Sequence, residues 1–359
     1  MCSSDLLQGG SGSDALSGGL GDDTLVGGLG DDTLDGGLDD DWVWGEAGSD
    51  VLKGGDGRDA IFGDRGYEKS KQDEYAKFVA GAGGKDPRED SDDGLAGSGD
   101  DQIEGGAGND LAFGGDGNDT LLMGQNNDEA WGGKGNDKLV GGAGSDALYG
   151  GMGDDTLDAG IGDGTAETGV VHVLVGGAGA DTIRGDVGDD QIYGDEQQQG
   201  NNASPTGGAD KIYGLGGNDR VWAGGGADTV TTLGGNDVIW AGSGADFVSS
   251  GAGDDVIFGE TGADTLDAGA GVDLVVGGAG SDVIRGGTGA DFLYGDGYAV
   301  DPKIGTDTVA AQDEGDDIIS AGLVGEADAD KAAPTAGEVA AHLIVGGGGK
   351  DTIYGDFGI

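Results

Sequence analysis

Sulfur, proline and positive charge are all scarce in this chain of 359 residues. The single cysteine, Cys2, excludes an internal disulfide framework. Four prolines exclude collagen, which needs a Gly-X-Y period with abundant proline. Lys and Arg number 17 against 70 Asp and Glu, a formal charge of −53 that repels nucleic acid phosphates and anionic lipid surfaces. No run of 18 apolar residues is present, so nothing reads as a membrane span. With one cysteine and two histidines, soft-metal clusters find no ligands.

Glycine is what the chain has instead: 88 residues. Few apolar side chains, high charge and maximal backbone entropy describe a disordered, self-repelling polymer. If such a chain folds, something cationic from outside must help it.

The glycines are periodic. From Gly9 the blocks read GGSGSDALS, GGLGDDTLV, GGLGDDTLD, GGLDDDWVW, GEAGSDVLK and GGDGRDAIF, each G-G-x-G-x-D-x-U-x with U aliphatic. The sixth-position aspartates are Asp14, Asp23, Asp32, Asp41, Asp50 and Asp59. A second run gives Asp101, Asp110, Asp119, Asp128, Asp137, Asp146 and Asp155. A pair gives Asp181 and Asp190. The longest run gives Asp210, Asp219, Asp228, Asp237, Asp246, Asp255, Asp264, Asp273, Asp282 and Asp291, and single units carry Asp317 and Asp351. A low-complexity linker would not hold one register through such runs.

The first six positions read as a turn. Glycine at positions 1, 2 and 4 permits positive φ and lets carbonyls converge, and the aspartate adds a hard anionic oxygen. Carbonyls with carboxylates suit calcium, which takes six to eight oxygens in loose geometry, better than magnesium, which keeps its waters. Positions 7 to 9 read as a three-residue strand with U inward.

These blocks resemble the RTX (repeats-in-toxin, haemolysin-type) calcium-binding nonapeptide family. The resemblance implies an all-β fold, a right-handed parallel β-roll solenoid with two nonapeptides per 18-residue turn and loop insertions. It also implies calcium between turns, held by each sixth-position aspartate above and by turn carbonyls such as those of Gly12, Gly21, Gly30, Gly108, Gly117 and Gly244. Several blocks depart from the motif. Gly164 stands where Asp is expected, Asn126 and Asp39 replace the fourth glycine, and Leu215 and Leu233 replace the second, in blocks one full turn apart. Aspartates paired one turn apart within unbroken runs allow roughly 17 calcium ions. Insertions that loop out without breaking the roll raise this to about 25. Either number removes most of the −53 charge. Binding free energy then becomes folding free energy.

A second period of 18 overlies the first. Ninth positions alternate between Trp222, Trp240, Phe258, Val276, Tyr294 and Tyr213, Thr231, Ser249, Asp267, Arg285. Val26, Trp44, Phe62 and then Phe113, Trp131, Tyr149 alternate likewise. The aromatic column is expected one strand spacing apart, about 4.8 Å, and stacked. As an outward apolar face it needs cover. Either insertions fold over it, or its rings shield one another, or it meets a protein partner, which is another copy or the rest of a larger protein.

The register divides the chain into a non-repeat leader (1–8), repeats (9–62, 96–158, 176–193, 208–294, 312–320 and a truncated unit at 346–359) and insertions (63–95, 159–175, 194–207, 295–311, 321–345). Three insertions open on an aromatic followed by Gly-Asp: Phe62-Gly63-Asp64, Tyr193-Gly194-Asp195 and Tyr294-Gly295-Asp296. Residues 67–80 have the composition of a short helix packing on the roll. His172 and His342 each precede an apolar triplet and read as surface or edge-strand residues.

No H-E-x-x-H, G-x-S-x-G or G-K-[ST] motif is present, so zinc-protease, lipase and phosphate-loop chemistry have no residues. The expectation is a non-enzymatic, calcium-binding segment of an extracellular, secreted or cell-surface bacterial protein, structural or adhesive. The alternative is the C-terminal repeat domain of a secreted toxin or hydrolase. Ice binding is disfavoured, because Thr24, Thr120 and Thr156 form no single flat ladder. With repeats starting by Gly9 and the last unit ending after Asp356, the chain reads as a fragment of a longer protein.

Overall fold

The computed structural model describes residues 4–64, 99–160, 170–195, 207–296, 318–320, 343–345 and 350–354. The chain forms two compact units, residues 1–165 and 166–359. Among the described residues there is no helix, and none long and apolar enough to cross a membrane. The fold is an all-β parallel β-roll.

In the first unit each nonapeptide supplies one strand, and successive strands alternate between two parallel sheets. Leu6–Ser11, Thr24–Leu29 and Trp42–Ala47 pair side by side in one sheet, and Ala15–Leu20, Thr33–Leu38 and Val51–Asp56 in the other. Each residue pairs with its equivalent two nonapeptides on, as Leu25 with Val43 and Leu34 with Leu52. Two repeats therefore make one turn. The pleat sends position 8 inward, and Leu25, Leu34, Val43, Leu52, Ile61 and Ile103 are fully buried. The second unit repeats the plan, with Val221, Ile239 and Ile257 stacked in one sheet and Val230, Val248 and Leu266 in the other.

Several sequence expectations need correction. Strands in the first unit are mostly six residues rather than three, running on through positions 1 to 3, whereas three-residue strands prevail in the second. Residues 5–8 are no leader. Leu6–Ser11 pairs with Thr24–Leu29, and the Asp5 N–H donates to Asp23 Oδ1 at 2.7 Å. The register is hidden there because no glycine turn precedes Asp5. The 63–95 insertion stands as expected between turns that pair, as Ile61 with Ala112, and the Asp50 N–H donates to Asp101 Oδ1 at 2.7 Å. Residues 67–80, Gly164, Asp317 and His342 lie outside the described residues.

Positive φ falls at positions 2 and 4, not position 1. Leu215, Leu233, Glu46 and Glu260 at position 2, and Asp39 and Asn126 at position 4, adopt it without being glycine. At position 1 several repeats carry a side chain, as at Met123, Ala223, Thr232 and Ser250, but at Gly18 there is no room for one. A Cβ on Gly18 would lie 2.6 Å from Asp23 Oδ2 and 2.6 Å from the Gly36 carbonyl oxygen.

The aromatic column forms as expected. Ring centroids are 4.1 Å apart for Trp44 and Phe62, 5.2 Å for Phe62 and Phe113, 4.7 Å for Phe113 and Trp131, and 4.9 Å for Trp222 and Trp240, all stacked. In the first unit it is no exposed patch. Trp44 and Phe62 are fully buried in a cluster with Val26, Ala60, Leu111 and Phe113, against which Trp42 and Trp131 pack. In the second unit Trp222, Trp240 and Phe258 are half-buried.

Candidate metal centre

Position 6 immediately precedes each strand, so the roll fixes its backbone and stacks one aspartate above another in successive turns. Each carboxylate then has two fates. Oδ1 accepts the backbone N–H of the aspartate one turn earlier: Asp23 N to Asp41 Oδ1 at 2.8 Å, Asp101 N to Asp119 Oδ1 at 2.8 Å, Asp219 N to Asp237 Oδ1 at 2.8 Å. Where position 1 is glycine, Oδ2 turns to the side-chain space of that glycine in its own repeat. There Asp14 Oδ2 and the Gly27 carbonyl approach the side-chain space of Gly9, and Asp23 Oδ2 and the Gly36 carbonyl approach that of Gly18.

The aspartates are buried, save the half-buried Asp14 and Asp351 and the undescribed Asp317. Oδ2 of Asp23, Asp41, Asp59, Asp110, Asp137, Asp219 and Asp273 is buried without a hydrogen bond. An ionised oxygen buried this way is costly unless a cation meets it. The carboxyls respond accordingly. Burial, and to a smaller extent the neighbouring aspartates, push Asp59, Asp101, Asp128, Asp210 and Asp219 to about 8, although each accepts a backbone N–H that lowers it. Asp137, Asp228, Asp264 and Asp273 rise to about 7 for the same reasons. Buried anionic oxygens converging with carbonyls fit a hard, oxygen-loving divalent ion.

The carbonyl brought to Oδ2 belongs to position 1 of the repeat one turn on, a group that the sequence does not single out. The expected position-4 carbonyls of Gly12, Gly30, Gly117 and Gly244 point at the matching glycine one turn on, respectively Gly30, Gly48, Gly135 and Gly262. Gly21 and Gly108 occupy the same position, and their N–H groups donate to the Leu38 and Gln125 carbonyls.

His172 corrects another expectation. It is neither surface nor edge: it is 1 % exposed and occupies position 6 of its repeat, where its N–H donates to Asp190 Oδ1 at 3.0 Å as an aspartate's would. The signal is present in its spacing, two residues before the inward Leu174. The second-position aspartates Asp64 and Asp195 are also buried and bonded across the roll: Asp64 Oδ2 accepts from Asp116 N at 2.8 Å, and Asp195 Oδ2 from Gly225 N at 2.6 Å.

The profile of the RTX calcium-binding nonapeptide repeat (4 copies) matches residues 3–34, 35–67, 92–130, 131–166, 173–198, 205–239, 231–266, 240–275, 267–297 and 343–359. No curated protein matches the chain. Matched over most of its length, and folded as a parallel roll with its aspartates facing inward between turns, the chain belongs to the RTX calcium-binding nonapeptide repeat family.

Proposed function

We propose that the position-6 aspartates are calcium ligands, each presenting Oδ2 together with carbonyl oxygens of the adjacent turn, and that the chain folds only when calcium is bound. The observation that carries this reading is the column of buried Oδ2 atoms without hydrogen bonds, lying beside position-1 carbonyls. Bound calcium supplies positive charge between turns; the aspartates and glycine carbonyls supply the oxygens. Asp50 bonds to Asp101 and Asp59 to Asp110 as in an uninterrupted turn, so these pairs join the count. That favours the upper part of the range of roughly 17 to 25 ions.

Such a roll serves as a structural or adhesive segment of a secreted or surface protein. Millimolar external calcium suits numerous weak sites, whereas cytosolic calcium would leave the chain unfolded. No catalytic residue is assigned. Far-UV circular dichroism during a calcium titration tests the reading. The expected result is a cooperative gain of β signal that chelator reverses, and an unchanged β spectrum in chelator would reject it.

A further inference from the structure

We propose that the turn holding His172, Asp186 and Asp190 is a binding site for a borderline divalent transition metal, of which zinc is the representative, rather than for calcium. The inference rests on the reading of position 6 as the metal-facing position. It departs from that reading in the ion.

The backbone at His172 keeps the plan seen at Asp23 and Asp219. Its N–H donates to Asp190 Oδ1, and its carbonyl accepts the N–H of Gln191 at 2.9 Å. The side chain, however, is an imidazole held in the buried place where its neighbours put a carboxylate. Asp186 stands at position 2, normally glycine, and the turn is rebuilt around it. Asp186 Oδ1 accepts the Gly188 N–H at 2.6 Å, and the Asp186 N–H donates to Asp190 Oδ2 at 3.0 Å. These bonds aim Asp186 Oδ2 at the ring, 3.8 Å from His172 Nε2. One ligand atom from each of the three residues lies within 4.8 Å of the others.

Donor chemistry selects the ion. At 3.8 Å the His172–Asp186 pair is too long for a hydrogen bond. Two carboxylates beside one imidazole leave a negative excess that a single imidazolium does not balance and a divalent ion does. A tetrahedral ion with bonds near 2.0–2.1 Å spaces its ligand atoms about 3.3 Å apart, and the 3.8 Å His172–Asp186 pair lies only about 0.5 Å beyond that spacing. Calcium is poorly served. Its ligands are oxygens, one carboxylate of the column is replaced by nitrogen, and Asp190 Oδ2 already accepts an N–H that its counterparts in Asp23 or Asp219 do not. Imidazole with carboxylates suits zinc, nickel or cobalt. The hydrogen bond from Gly188 to Asp186 is the outer support that such sites use to orient a ligand.

The test is a zinc titration, by calorimetry, of the full chain folded in saturating calcium, with cobalt absorption as a second readout. The expected result is one tight zinc equivalent that survives excess calcium and a cobalt spectrum with visible ligand-field bands. His172→Gln is expected to weaken zinc by at least about 100-fold, the upper end of what losing even an outer-shell partner costs. Asp186→Asn is expected to weaken it comparably, and it keeps the result decisive should the histidine variant misfold. His342→Gln leaves zinc binding unchanged. A calcium-folded chain that binds no zinc, or binds it equally in both ligand variants, overturns this inference while leaving calcium-driven folding intact. A chain that calcium does not fold removes both.

Discussion

Asp64 Oδ2 accepts the backbone N–H of Asp116 at 2.8 Å, joining residues 52 apart in the chain. Asp195 does the same for Gly225, 30 residues on, at 2.6 Å. In an uninterrupted turn such as Gly10 above Gly28, the second position is a glycine and the ladder continues through backbone. At Asp64 and Asp195 the next turn is reached only after an insertion, and a carboxylate satisfies the N–H instead. Burial pushes Asp64 to about 7, even though N–H groups of Asp116 and Gly99 bond to it. We therefore predict that Asp64→Ala or Asp195→Ala, measured in saturating calcium, costs about 2 kcal/mol, the penalty of leaving a buried donor without its charged partner. Hydrogen exchange should quicken at Asp116 or Gly225 and not at distant turns. Uniform exchange along the roll would contradict a local role.

Gly18, at position 1, contrasts with Gly10, at position 2 of the first turn. A Cβ at Gly18 would meet Asp23 Oδ2 and the Gly36 carbonyl at 2.6 Å each, whereas one at Gly10 meets nothing within 4 Å and bears only the strain of φ 103°. Gly18→Ala should both destabilise the calcium-bound roll by roughly 1–3 kcal/mol, the range for overpacking, and displace the Oδ2–carbonyl pair. Gly10→Ala should cost about 1–2 kcal/mol from its backbone alone and leave ion stoichiometry unchanged. Thermal unfolding and calcium counting on both variants check this. Equal loss of bound calcium in the two would refute the spatial argument.

The ring column predicts unequal energetics along its length. Trp44 is fully buried, with Phe62 stacked 4.1 Å away, while Trp222 is half-buried. Trp44→Ala should cost about 3–5 kcal/mol, as large aromatic truncations in cores do, and Trp222→Ala distinctly less. Chemical denaturation in saturating calcium gives both numbers. A reversed order would show that the half-buried rings carry the packing.

The fold is legible in the sequence because one residue type per position does one job. An aliphatic at position 8 of every nonapeptide specifies the inward column, and the alternation of Trp222 with Thr231 specifies two sides. What the sequence hides is chemistry that looks like a departure from the motif. His172 is obscured because the aspartate marks a repeat, and Asp5 because its repeat lacks the glycine turn. The position-1 carbonyl is hidden because sequence reports side chains, while the convergence of Oδ2 on a backbone oxygen follows from the stacking of one turn on the next. At Gly18 the demand for glycine reads as conformational and proves steric, a distinction only contacts reveal.

Acidity supplies the last prediction. In an unfolded chain these carboxyls titrate near 3.9. In the metal-free roll burial holds Asp59, Asp101, Asp128, Asp210 and Asp219 at about 8, and Asp41, Asp50 and Asp119 at about 6. Between about pH 4 and 8 the folded chain thus retains protons that the unfolded chain has released. The contribution of these groups to folding is full below about pH 4 and is lost as pH climbs through about 6 to 8. Without calcium, acidification from about pH 8 to about pH 5 should raise β content. Calcium that binds an acid-folded roll must displace these protons and release acid, whereas calcium that folds the already ionised unfolded chain above about pH 5 releases none. Circular dichroism in chelator across this range, with proton release followed in weakly buffered calcium titrations, measures both arms. A chain that gains no β signal on acidification in chelator would mean that burial in the roll does not hold these protons.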